Sequence, residues 1–374
     1  MALPQTSTLP RTHKLLGLEL LRFLATISVL LWHYPHFAYV ADAPVGLVRS
    51  ELPFYRALFP FYELGEYGVV VFWCISGFIF FWKYGATIPN RRVDGWIFFV
   101  NRLSRLYPLH LATLLLVAGL QTLYVAQHGF AFVYQSNDLG HFVAQLVMAS
   151  DWLPPTGVSF NGPIWSVSIE VLVYAAFFAG LRFVTTSPLL NLAMILAGIA
   201  SGTLVGKCFV FFYAGGLAAM ARQSVADAPY RARLEVLAGC AAVALPSALW
   251  LSGIELAERA AALLLVYVPI LLFVCATPIA LPRRLENLLQ AAGNMTYSCY
   301  LLHFPIQLAI ALAFGAWGRA IPYGQPPFWI GFMGLTLTAA YLTYVWFEAP
   351  AQRRIRRALL RKDEAGRMVS APQH

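Results

Sequence analysis

Charge is scarce in this chain of 374 residues. Only 11% are Asp, Glu, Lys or Arg, against about a quarter in soluble domains. A soluble fold has no interior large enough for a 59% hydrophobic content, which leaves a polytopic membrane protein. Cysteine is also sparse. Cys74, Cys208, Cys240, Cys275 and Cys299 all lie in apolar stretches at no metal or disulfide spacing, and read as small buried hydrophobes. No internal repeat, low-complexity tract or appended soluble domain is visible. The first apolar segment lacks a small-residue cleavage site and reads as a retained helix, not a signal peptide.

What is present is a set of long apolar runs. A bilayer core of about 30 Å needs roughly 20 mostly apolar residues. On that measure the chain predicts ten spans: 15–35, 67–83, 105–126, 163–182, 188–204, 206–222, 235–253, 260–280, 291–315 and 327–348. The stretch Leu139–Ser150 is amphipathic and too short to cross. The fold class expected is all-α, a transmembrane helix bundle. Residues 1–14 form a cytoplasmic segment, 15–350 the membrane domain and 351–374 a basic cytoplasmic tail.

The net charge of +9 raises the question of nucleic acid, and the placement of the charges answers it. With the N-terminus cytoplasmic, twenty of the 26 basic residues fall on the inner face. They are Arg11, Lys14, Lys83, Arg91, Arg92, Arg102, Arg105, Arg182, Arg222, Arg231, Arg233, Arg283, Arg284, Arg353, Arg354, Arg356, Arg357, Arg361, Lys362 and Arg367. That asymmetry sets the orientation, puts both termini inside, and spreads the charge over membrane-facing loops rather than a nucleic-acid groove. The basic tail reads as a stop signal and a contact for anionic lipid. The outer segments 36–66 and 127–162 are long enough to act as lids or binding surfaces.

Ionisable groups inside a span cost about 2.5–3.5 kcal/mol each on insertion scales and mark function. The first span carries Glu19, Arg22 and His33. Arg22 and His33 are eleven residues apart, so they share a helix face about 16 Å apart along the axis. Glu19 sits one turn before Arg22, in pairing reach. Ser76 and Gly77 in the second span suit close helix packing. Arg102 and Arg105, three apart, point the same way, and planar guanidinium groups suit phosphate; ordinary positive-inside anchoring is the plain alternative. In the fourth span, which also carries Ser168, Ser166 and Glu170 share a face four residues apart, with Trp165 beside them. A lone serine there commonly bonds the preceding turn, whereas a buried glutamate needs a partner or a purpose. His303 follows Tyr300 in the ninth span, and Pro305 frees a backbone carbonyl. Glu348, at the inner surface, reads as structural. The span directions place His33, Glu170 and His303 toward the outer side, and Arg102 and Arg105 at the inner mouth of a polar route.

These residues resemble, in order, the motifs of acyltransferase family 3. They are Glu19-x-x-Arg22 with His33; Ser76-Gly77-Phe78; Arg102-x-x-Arg105-x-x-Pro108; Trp165-Ser166-x-Ser168-x-Glu170; Tyr297-x-x-Tyr300-x-x-His303-x-Pro305; and Glu348-x-Pro350. The resemblance runs over roughly 15–350. It implies an O-acyltransferase of the bacterial inner membrane that takes an acyl group from acetyl-CoA, or another acyl-CoA, to a hydroxyl of an exported or lipid-linked glycan. It involves no metal. It assigns Arg22 and His33 to an essential first-helix pair and Arg102 and Arg105 to the donor side. Asn101 stands where the family often has arginine, and Cys74 where a larger aliphatic is common. The family's frequent extra esterase-like domain is absent.

From the residue types, His33 is the expected base, with Glu170 orienting it or stabilising its cation, and transfer is either direct or through a covalent acyl relay. Trp165, Ser166, Ser168, Tyr300 and His303 are expected around the substrate or transition state, and Glu19, Ser76 and Glu348 as structural polar groups. Expected partners are the glycan acceptor and membrane lipids, with no nucleic acid and with room for a homo-oligomer. Rival readings are a macrolide-like acceptor, a flippase of anionic lipid-linked sugars, and a structural subunit of an export complex. A flippase ordinarily brings repeats and paired broken helices, and the third reading leaves the buried His, Arg and Glu unexplained.

Overall fold

The computed structural model describes residues 15–152, 157–251 and 256–369. The expected segment 1–14 lies outside the described residues. The chain is helical: α1 (Leu16–His33), α2 (Tyr55–Leu64), α3 (Gly68–Tyr84), α4 (Gly95–His128), α5 (Leu139–Leu146), α6 (Ile164–Ala179), α7 (Pro188–Ser201), α8 (Leu204–Ser224), α9 (Arg231–Leu251), α10 (Leu256–Cys275), α11 (Arg283–Asn294), α12 (Thr296–Ala316), α13 (Pro326–Thr343) and α14 (Ala349–Val369). A two-residue hairpin, Tyr39–Val40 against Ala43–Pro44, is the sheet content among the described residues.

Seven helical segments among the described residues are long and apolar enough to cross a membrane, and Pro188–Ser201 and Ala260–Cys275 are shorter apolar helices. The chain is thus an all-α, multi-pass membrane protein. Several boundaries differ from expectation. The second crossing begins at Tyr55, running through α2 and a short tight turn into α3. The third begins ten residues early, because Asp94 caps it by accepting from the Ile97 N–H at 2.8 Å. Its 34 residues reach about 51 Å. Arg102 and Arg105 therefore stand within the helix and not at its mouth. The span expected over 291–315 is broken at Met295 into the amphipathic α11 and the crossing α12.

Helix ends follow local chemistry. Ser187 and Thr203 cap α7 and α8 by accepting from Leu190 N and Gly206 N, and Gly129 and Gly202 close α4 and α7 in the left-handed conformation. Asp138 caps α5, and hydrogen bonds from the His141 backbone and ring hold its carboxyl below the usual range.

The core lies between α3, α6 and α8, in one cluster of Trp73, Phe78, Phe80, Phe81, Phe177 and Phe212. Close approach depends on two glycines. A Cβ on Gly77 would strike the Phe212 carbonyl, and one on Gly215 the Cys74 carbonyl. This meets the packing expected at Ser76-Gly77. Cys74, Cys208 and Cys299 are buried as expected, but Cys275 is half-buried and Cys240 exposed, because α9 turns that face away from the bundle.

Prolines inside helices free carbonyls, and neighbouring helices satisfy two of them. Pro305 leaves Leu301 O without its i+4 donor, and the buried Asn161 Nδ2 donates to it at 3.1 Å. Pro246 does the same to Ala242 O, which the Tyr267 hydroxyl reaches at 3.2 Å. Glu348, 2% exposed, accepts from Ser298 Oγ at 2.6 Å and faces Arg105 at 3.8 Å, which ties α12, α4 and the α13–α14 junction together.

Asn161→Ala is expected to cost about 1–3 kcal/mol, the penalty of a buried unsatisfied carbonyl, read as a lower unfolding midpoint in detergent. Glu348→Ala is expected to cost about 1–3 kcal/mol, since it leaves the buried Ser298 hydroxyl without its acceptor and the half-buried Arg105 without its counter-charge. Glu348→Gln, which keeps an acceptor for Ser298, is expected to lose less in the same melt.

Candidate active site

A cavity of about 390 Å³ opens between α1, α3, α4, α6, α12 and α14. Its lining carries five cationic groups, Arg22, Lys83, Arg102, Arg105 and Arg356, against the carboxylates of Glu19 and Glu170. The excess is positive, so the chamber suits an anion.

The five cations come from four helices, α1, α3, α4 and α14. On α1, Arg22 donates to Glu19 Oε2 and to Thr296 Oγ1, both at 3.2 Å, as the spacing of Glu19 and Arg22 anticipates. Gly293 sits so close that a Cβ there would strike the Glu19 carboxylate, so the α11–α12 break closes against this ion pair. The Arg102 guanidinium lies 4.8 Å from the Phe80 ring centre and donates to Tyr84 Oη at 3.3 Å, with Nε buried and unpaired among the described residues. Arg105 faces Glu348. An arginine stacked on an aromatic ring keeps its orientation and its remaining donors. Arg356 and Gln352, from α14, close one rim. The basic tail, expected as a stop signal and a contact for anionic lipid, thus also lines the cavity. The i, i+4 spacing of these two residues on an amphipathic helix is the signal for it.

Ser166 and Glu170 line the same cavity, together with Ser76 and Tyr174. Ser76, Tyr174, Arg102 and Arg22 surround the Glu170 carboxylate, whose Oε1 is buried without a hydrogen-bond partner among the described residues. The cavity ends at Ser166 and Tyr300. Tyr300 Oη lies 2.7 Å from Ser166 Oγ and donates to Pro163 O at 2.7 Å.

Beyond that end stands a histidine cluster. The Tyr300 ring lies 6.0 Å from His303, and His303 and His36 each lie 5.0 Å from His33. His33 Nδ1 donates to Val29 O at 2.9 Å, which fixes the neutral tautomer and leaves the Nε2 lone pair as the basic position. Gln307 Nε2 donates to His33 O at 2.9 Å. Neither ring nitrogen of His303 has a hydrogen-bond partner among the described residues. His36 was missed in the sequence, although His33-x-x-His36 is itself a one-turn spacing.

The structure does not bring all the expected residues together. Glu170, expected beside His33, lies instead with Arg22 and Arg102, because it extends the Ser166 face of α6 inward toward Ser76 on α3. Ser168 is about 200° around the helix from Ser166. It is fully buried, accepts from Asp151 N at 3.2 Å, and its carbonyl takes the Trp152 indole N–H at 2.8 Å. It anchors the outer loop and does not line the cationic cavity. Trp165 packs its ring edge on Trp73 at 5.8 Å and faces a second cavity. Among the described residues no three His, Cys, Asp or Glu side chains are placed to hold one metal ion.

A family model described as an acyltransferase domain matches residues 15–345. Acyltransferase MdmB of Streptomyces mycarofaciens is 31% identical over 197 residues, which are 52% of this chain and 46% of that protein. The chain thus spans about half the length of this curated relative. No solved structure matches. With the match running from the first helix to the end of α13, the chain belongs to the acyltransferase family.

Proposed function

We propose that this protein is an O-acyltransferase of a bacterial inner membrane, moving an acyl group, most simply acetyl, from cytoplasmic acyl-CoA to a hydroxyl of an exported or lipid-linked glycan. One observation carries the reading: the cationic cavity ends on Ser166 and Tyr300, one ring contact away from the histidine cluster. In this reading the ten crossings and cytoplasmic termini set by the arginine distribution put the Arg356 rim on the side where coenzyme is available.

The chemistry follows from the groups at hand. Arg22, Arg102 and Arg105, with Lys83 and Arg356 at the rim, hold the coenzyme phosphates by charge-assisted hydrogen bonds. The acyl end then lies toward Ser166 and Tyr300. A sugar hydroxyl is a weak nucleophile at neutral pH and needs a base within reach. His33 Nε2 takes the hydroxyl proton as the oxygen bonds to the thioester carbonyl carbon. Hydroxyl donors stabilise the oxyanion that forms. The carbon–sulfur bond then breaks and the imidazolium returns the proton to the leaving thiolate, giving an ester and free coenzyme A. Glu170 offsets the arginine charge at the centre of the chamber, and His303 and His36 pack the base in place.

Purified protein in nanodiscs with radiolabelled acetyl-CoA tests the roles. His33→Ala is expected to lower acyl transfer at least 100-fold, within the range of general-base contributions, with donor affinity kept; normal transfer would refute its role. Arg102→Ala combined with Arg105→Ala is expected to weaken coenzyme binding at least tenfold. Unchanged affinity would remove these arginines from the donor site.

A further inference from the structure

A second cavity of about 360 Å³ stands apart from the histidine cluster. It is formed by the N-terminal ends of α3, α6 and α8 with the outer loop around Asp151, so on the proposed topology it opens to the outside. Val69 and Trp73 line both this cavity and the cationic one, and a single turn of α3 is therefore the shared wall between them.

Its chemistry differs sharply from that of its neighbour. Trp73 and Trp165 meet edge to face at 5.8 Å and an interplanar angle of 87°, forming an aromatic corner, and Tyr67 adds a third ring. Glu66 and Asp151 supply carboxylates, and Lys207 one ammonium. Lys207 sits in the first turn of the apolar α8 and has no ion pair among the described residues; its Nζ lies 5.5 Å from the Tyr67 ring centre. Asp151 is bonded by the Ser150 hydroxyl at 2.6 Å, and burial pushes its carboxyl above the ordinary range.

Ligand cavities of 300–1,000 Å³ typically combine apolar walls with a few placed polar groups. A fatty chain has no use for three charged groups, and a strongly anionic ligand would meet two carboxylates. A hydroxylated ring fits both features. Its C–H faces lie on indole, its hydroxyls donate to Glu66 and Asp151, and Lys207 donates to its oxygens.

We propose that this outer cavity is a subsite of the acceptor glycan that holds one saccharide ring other than the reacting one, with Trp73 as the wall between that ring and the donor chamber. The proposal rests on the acyltransferase reading above for the identity of the glycan, and on the cavity itself for the ring it holds.

The test uses the full chain in nanodiscs and the exported polysaccharide of the source cell, stripped of acyl groups by mild alkali. Calorimetric titration without donor is expected to give saturable binding. Trp165→Ala and Lys207→Met are each expected to weaken it at least fivefold, with acetyl-CoA affinity unchanged. Trp165 packs on Trp73, so Lys207→Met at the rim is the control for a folding defect, checked by its melting profile. Absence of binding to the wild type, or equal binding by folded Lys207→Met, overturns the proposal. Binding by the wild type without any transfer of label from acetyl-CoA would leave a saccharide site standing and sink the acyltransferase reading instead.

Discussion

Cationic side chains half-buried in an apolar bundle are the constraint on which the rest of this structure depends. A guanidinium in the membrane interior needs counter-charges, hydrogen-bond acceptors or aromatic faces to offset its desolvation. Arg22 has Glu19 and Thr296, Arg102 has Phe80 and Tyr84, and Arg105 has Glu348. Those partners come from α1, α3, α12 and the α13–α14 junction, so satisfying the arginines draws distant elements of the chain around one chamber. The offset is incomplete. Arg102 Nε and Glu170 Oε1 have no hydrogen-bond partner among the described residues, and the chamber keeps an excess of positive charge.

The second constraint is backbone satisfaction around proline. Kinks at Pro305 and Pro246 free carbonyls that Asn161 and Tyr267 meet. The first of these also fixes the register of the α6 entry against α12, and so sets Ser166 opposite Tyr300. The contact at the end of the cavity thus depends on a hydrogen bond made one turn away.

Much of this was legible in the sequence because it rests on spacing along single helices. The Glu19–Arg22 pair, the tight packing at Gly77 and the carbonyl freed at Leu301 all follow from one-helix geometry. What was not legible depends on which helix face meets which neighbour. Depth alone placed Glu170 beside His33, but rotation of α6 against α3 puts it with the arginines. Ser168 seemed equivalent to Ser166 as a motif member, yet the opposite face of α6 ties down a loop. Arg356 and Gln352 reach the chamber because α13 continues through a wide turn over Tyr344–Glu348 into α14, a continuity that a hydropathy window treats as an end.

The account predicts a direction for the donor: phosphates among Arg22, Arg102, Arg105 and Arg356, acyl group at Ser166 and Tyr300. Photocrosslinking tests this most directly, with an acyl-CoA that carries a diazirine at the end of a short acyl chain. Its adducts would be mapped by peptide mass spectrometry on the wild-type protein. The account predicts adducts on Phe72, Ser166 or Tyr300, abolished by excess acetyl-CoA. Competable adducts confined to the inner rim at Gln352 and Lys83, or to the outer cavity at Tyr67 and Lys207, would contradict it.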